Sequence, residues 1–134
     1  MSRTIDDYTD EIRNNNIRKG FRVADGGPGT NTFGDYIALL HSEVSEALEA
    51  YRDHKLADAT GGSDGPRENS KPEGVGSELA DVFIRLLDMA DVFGIDLAAE
   101  VERKIAYNAT RPYQHGGRTL SGAMQTPVTR NIGA

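Results

Sequence analysis

Apolar residues recur at helical spacing along most of this chain, and the breaks between the runs are rich in glycine, proline and aspartate. Ile5, Tyr8 and Ile12 fall on one face of a first predicted helix, roughly Thr4 to Arg18, with Thr4 as its N-cap. The stretch from Asp25 to Asn31 reads as loop. Thr32 then caps a second helix, with Asp35 three positions on in a variant of the capping box. Phe33, Ile37, Leu40, Val44, Leu48 and Tyr51 form its stripe, and it should end near His54. A third helix runs from about Val75 to Phe93 on the stripe Leu79, Val82, Phe83, Leu86, Met89, Ala90 and Phe93. Gly94 suits the residue just past its end. Asp96 caps a fourth helix, Leu97 to about Thr110, which Pro112 stops.

Two segments carry no such period. Lys55 to Gly74 holds Gly61, Gly62, Gly65, Pro66 and Pro72 among polar residues, a loop long enough to be functional or disordered. Tyr113 to Ala134 reads as a hairpin, an arm across a neighbouring subunit, or a frayed end. No strand pattern supports a sheet, so the expected fold is all-α, an oligomeric bundle of about four to five helices. A single domain is expected over residues 1–117, with 118–134 as a tail.

Composition narrows the function classes. The chain has 134 residues and no cysteine, which removes disulfides, thiolate metal sites and cysteine nucleophiles together. It fits a reducing, cytoplasmic setting. A polar N-terminus gives no secretory signal, and no stretch has the length of a membrane span. The net charge of −6 argues against stable nucleic-acid binding. It leaves small phosphorylated ligands open, because a metal or a local basic cluster offsets global charge.

Two acidic pairs carry the chemistry. Glu43 and Glu46 on the second helix, and Glu78 and Asp81 on the third, share the spacing i, i+3. At about 100° per residue, each pair flanks its helix's apolar stripe in the same way, the second member about 60° further out. If the helices pack through their stripes, all four carboxylates converge. Such a group repels itself unless cations intervene, and hard oxygen ligands select Mg²⁺, with Mn²⁺ as a substitute. An acidic i, i+3 pair alone is common on a solvated face; two matched pairs on neighbouring helices say more. A di-iron bundle would want Glu-x-x-His on two helices, and none of His41, His54 or His115 stands three residues after a Glu.

Lys104, Asn108 and Arg111 fall within about 60° of one another on the fourth helix. Lys and Arg suit phosphate, and Asn reads a hydroxyl, a base or a phosphate. A solvated face, or a salt-bridge partner for Glu100, explains the same residues. Tyr107 suits either a base or the core, and Tyr113 and His115 follow close behind.

Glu43-Val44-Ser45-Glu46 followed by Glu78-Leu79-Ala80-Asp81 resembles the ExxE…ExxD signature of the all-α nucleoside triphosphate pyrophosphohydrolases. Lys104 to Pro112 resembles the Lys…Asn…Arg segment of their MazG-like branch. The likeness covers roughly residues 37–117. It implies that Glu43, Glu46, Glu78 and Asp81 bind Mg²⁺ and that Lys104, Asn108 and Arg111 contact the nucleotide. It also implies a homodimer or homotetramer that cleaves a triphosphate to monophosphate and pyrophosphate. Glu46 is the expected residue to orient or deprotonate the water, because it lies further from the apolar stripe than Glu43. Cytosine-reading relatives carry an aromatic shortly after the first acidic pair; here Tyr51 is followed by Arg52, Asp53 and His54, which leaves the base open. A dUTP- or dCTP-selective enzyme, a phosphoribosyl-ATP pyrophosphohydrolase, and a non-catalytic nucleotide-binding bundle are the alternatives.

Overall fold

Thr4 and Thr32 start the first two helices through the same device. Each hydroxyl accepts the backbone N–H three residues on, and the aspartate there, Asp7 or Asp35, accepts the threonine's own N–H. Hydrogen bonds from Thr4 and Thr32 hold the carboxyls of Asp7 and Asp35 below the usual carboxylate range. The computed structural model describes residues 2–53 and 72–112, and among them there are four α-helices and no strand. These are α1 (Ile5–Arg18), α2 (Phe33–Arg52), α3 (Val75–Val92) and α4 (Leu97–Ala109). The expected end of α2 near His54 falls at Arg52, with Asp53 as C-cap. Most of the segment 55–74, together with Tyr113, His115 and the tail 118–134, lies outside the described residues.

α3 ends on Gly94, whose φ of 66° is left-handed. Its N–H donates to Asp91 O, and Ile95 N–H donates to Ala90 O, which closes a complete Schellman motif. The chain divides into two compact units, Met1–Leu97 and Ala98–Ala134. In the first, α3 packs against both α2 and α1. α2 and α3 run antiparallel, as three cross-links in opposite order show: Tyr36 with Phe93, Glu43 with Arg85, and Glu46 with Glu78.

The face of α2 that packs is not the stripe read from the sequence. Tyr36, Glu43, Ala47 and Ala50 are buried, while Val44, Leu48 and Tyr51 are 52, 49 and 59 % exposed. The helix is rolled toward the flank of its stripe. Ala47 and Ala50 are small enough for α3 to approach closely there, and at the far end Phe93 meets Phe33 and Tyr36 edge-on at 5.0 and 5.5 Å. On α3 the most buried side chain is Leu87, with Asp88, Met89 and Ala90 beside it, whereas Leu79 and Phe83 of the expected stripe stay exposed. The core of this unit is therefore small.

Candidate functional site

Rolling α2 onto its flank changes where the carboxylates stand. Glu43 is carried into the packed face and is buried; Glu46, three residues on, stays exposed. Glu78 reaches them from the first turn of α3, half-buried. One carboxylate oxygen from each of Glu43, Glu46 and Glu78 lies within 4.8 Å of the others. Asp81 stands outside this trio, half-buried, in the wall of a cavity it shares with Glu43. Three of the four expected carboxylates thus come together, and they do so without the stripe-to-stripe packing expected of them. Three carboxylate oxygens this close are a donor set that fits a hard divalent cation, around which they would have to draw closer together.

One cation already answers this charge. Arg85 donates from Nε to Glu43 Oε1 at 3.0 Å, bridging α3 to α2. Its side chain is 40 % exposed and that of Glu43 is 11 %. Nothing in the spacing of the acidic pairs pointed to Arg85, although it stands four residues after Asp81, on the face of α3 that carries Glu78 and Asp81.

The cavity next to the trio has a volume of about 460 Å³, within the range of small-molecule sites. Phe21, Tyr36, Leu39 and Ile84 supply apolar wall; Asn16 and Asn31 supply carboxamides. Glu43, Asp81 and Arg85 mark its charged end. Burial raises the Tyr36 hydroxyl above the ordinary phenol value, with the Asp88 charge adding to it, so Tyr36 enters this wall protonated.

The loop that carries Phe21 and Asn31 is tied down by a buried cation the sequence reading passed over. Arg22 is buried and donates to Asp88 Oδ1 at 3.2 Å, to Asp91 Oδ2 at 2.7 Å and from Nε to Gly26 O at 2.7 Å. Arg13 of α1 grips both oxygens of Asp91: its Nε donates to the same Oδ2 at 2.8 Å and its Nη2 to Oδ1. That grip, with Arg22 adding to it, holds the Asp91 carboxyl below its ordinary value despite partial burial, and the Arg13 guanidinium is pushed up by the same partner. α1, the loop and α3 are thereby joined through one carboxylate. The available signal was Asp88, a charge inside the apolar run Leu86-Leu87-Asp88-Met89-Ala90.

Lys104, Asn108 and Arg111 belong to the second unit. All three are exposed along one face of α4 and its C-terminal turn, where Arg111 N–H donates to Asn108 O at 3.1 Å. Lys104 Nζ lies 5.9 Å from the centroid of the exposed Tyr107 ring, and Glu100 is paired with Arg103 rather than with Lys104. No known protein family, curated protein or solved structure matches the chain.

Proposed function

We propose that the protein is a Mg²⁺-dependent nucleotide pyrophosphohydrolase that cleaves a nucleoside or deoxynucleoside triphosphate to the monophosphate and pyrophosphate. The observation that carries this reading is the trio Glu43, Glu46 and Glu78 beside a cavity of nucleoside size. Carboxylates alone would hold a cation without needing a pocket, and a pocket alone would not need three carboxylates. The pair suits a ligand that is polyanionic at one end and flat and amphipathic at the other.

Glu43, Glu46 and Glu78 would hold the metal, with Asp81 completing the set from the cavity wall. Bound there, Mg²⁺ would supply positive charge to offset that of the polyphosphate and Lewis acidity at the attacked phosphorus. Glu46, the exposed member, orients a water and takes its proton. The water oxygen forms a bond to the α-phosphorus, the α–β bridging bond breaks, and pyrophosphate leaves; the choice of the α-phosphorus rests on the family resemblance. The same resemblance gives Lys104, Asn108 and Arg111 contacts to the nucleotide. Phe21 and the two carboxamides suit a base, which leaves uracil, cytosine and purine substrates to be separated by assay.

The exposed stripe Val44, Leu48 and Tyr51 supports assembly into a homodimer or homotetramer, since an apolar helix face of this length wants a partner. The alternative is a bundle that binds nucleotides without turning them over. Pyrophosphate release from a panel of nucleoside triphosphates, with and without Mg²⁺, separates the two: the proposal expects metal-dependent release, and binding without release would establish the alternative.

A further inference from the structure

Arg85 has the placement of more than a structural ion-pair partner. It stands seven residues after Glu78 and four after Asp81 on α3, so the three side chains share one helix face. Its guanidinium reaches across to Glu43, a buried member of the trio. Among the described residues it is the one lysine or arginine in the cavity wall. Of the three carboxylates of that wall, Asp88 is already engaged by buried Arg22, and Glu43 is the one to which Arg85 donates. A divalent cation drawing on Glu43 competes with Arg85 for the same carboxylate charge. Arg85, 40 % exposed on a flexible stem, is then left facing the cavity in which the anion arrives.

We infer that Arg85 exchanges partners: it holds Glu43 in the metal-free protein and, once a divalent cation takes Glu43, turns its guanidinium to the phosphate groups of the ligand. The inference rests on the trio being a metal site. It makes the cation and the polyphosphate bind in a coupled way through a side chain that sequence spacing did not single out. A guanidinium has the planar fork to grip a phosphate oxygen pair, which a lysine at this position lacks.

The exchange has a signature of opposite signs. Removing Arg85 takes away a competitor for Glu43, so metal should bind tighter; it also removes a phosphate contact, so the anion should bind more weakly. Titration of Mn²⁺ alone and of inorganic tripolyphosphate in the presence of Mn²⁺ reads both without turnover. In Arg85→Gln, Mn²⁺ affinity should rise on the order of fivefold and tripolyphosphate affinity fall on the order of tenfold. Arg85→Lys, which keeps the charge, should leave Mn²⁺ affinity near wild type and still lose part of the tripolyphosphate affinity. Unchanged or weaker Mn²⁺ binding by a folded Arg85→Gln would overturn the exchange and leave the metal site standing. Tripolyphosphate affinity equal to wild type in that variant, or no tripolyphosphate binding by the wild type, would overturn the phosphate grip. Failure of the wild-type protein to bind Mn²⁺ would overturn the exchange and the metal site together.

Discussion

Two single residues, Glu78 and Arg22, test the proposed site and its scaffold from different sides. Glu78→Gln keeps the shape of a trio member and removes its charge. Turnover should fall by roughly a hundredfold or more, while the metal-free melting temperature holds or rises, because one like charge leaves a crowded group. Calorimetry beside steady-state kinetics checks both halves; near-native activity at saturating Mg²⁺ would remove Glu78 from the site. Arg22 tests the scaffold instead. Arg22→Met leaves buried Asp88 without its cation and should cost about 3 kcal/mol in a urea titration. The pH dependence of this network follows from Asp91. Its folded pKa lies below the ordinary 3.8, so its contribution is present above that value and is lost as pH falls through the lowered one. The stability gap between wild type and Asp91→Asn should therefore be full at neutral pH and shrink below about pH 4. A gap that stays constant down to pH 2 would contradict this.

At the scale of elements, the sequence was most legible where local chemistry decides. Thr4 with Asp7, Thr32 with Asp35, and Gly94 act within four residues of themselves, and each predicted boundary built on them is met within a residue or two. Gly94→Ala should lower stability by about 1 kcal/mol, because its φ of 66° strains any residue with a Cβ; a melting curve shows it directly. The rotation of a helix is a different matter. Tyr36, Leu39, Glu43, Ala47 and Ala50 make a face nearly as helical in spacing as the apolar stripe, and periodicity favours the more hydrophobic one. What wins inside the chain is close approach at alanines together with a cross-helix ion pair, and neither registers in a hydrophobic pattern. The rotation puts Glu43 in the middle of the packed face and Glu46 about 60° beyond it, which brings both near Glu78 but leaves Asp81 outside the trio. Arg22 and Arg85 were illegible for a related reason: each finds its main carboxylate partners more than forty positions away. The face of α4 is testable on its own terms. Lys104→Ala and Arg111→Ala should lower kcat/KM by on the order of ten- to a thousandfold with little change in melting, whereas partners of the helix dipole alone would leave kinetics untouched.

At the scale of the whole molecule, large apolar side chains stand exposed among the described residues. Val44, Leu48 and Tyr51 lie one helical turn apart on α2, and Leu79 is 54 % exposed on α3. Among the described residues no helix is long and apolar enough to cross a membrane, so a membrane span does not account for this surface. The proposed homodimer or homotetramer would cover it with a second copy of the chain. Light scattering should therefore give a dimer or tetramer at micromolar concentration, and Leu48→Lys with Tyr51→Lys should shift the mass toward the monomer. A well-folded wild-type monomer would contradict that assembly. The proposed reaction is itself open to ³¹P NMR of a triphosphate incubated with the protein. With Mg²⁺ present, monophosphate and pyrophosphate resonances should appear in equal amounts for at least one nucleotide and be absent when EDTA is added. Orthophosphate and diphosphate as the products, or no product from any nucleotide at saturating Mg²⁺, would contradict it.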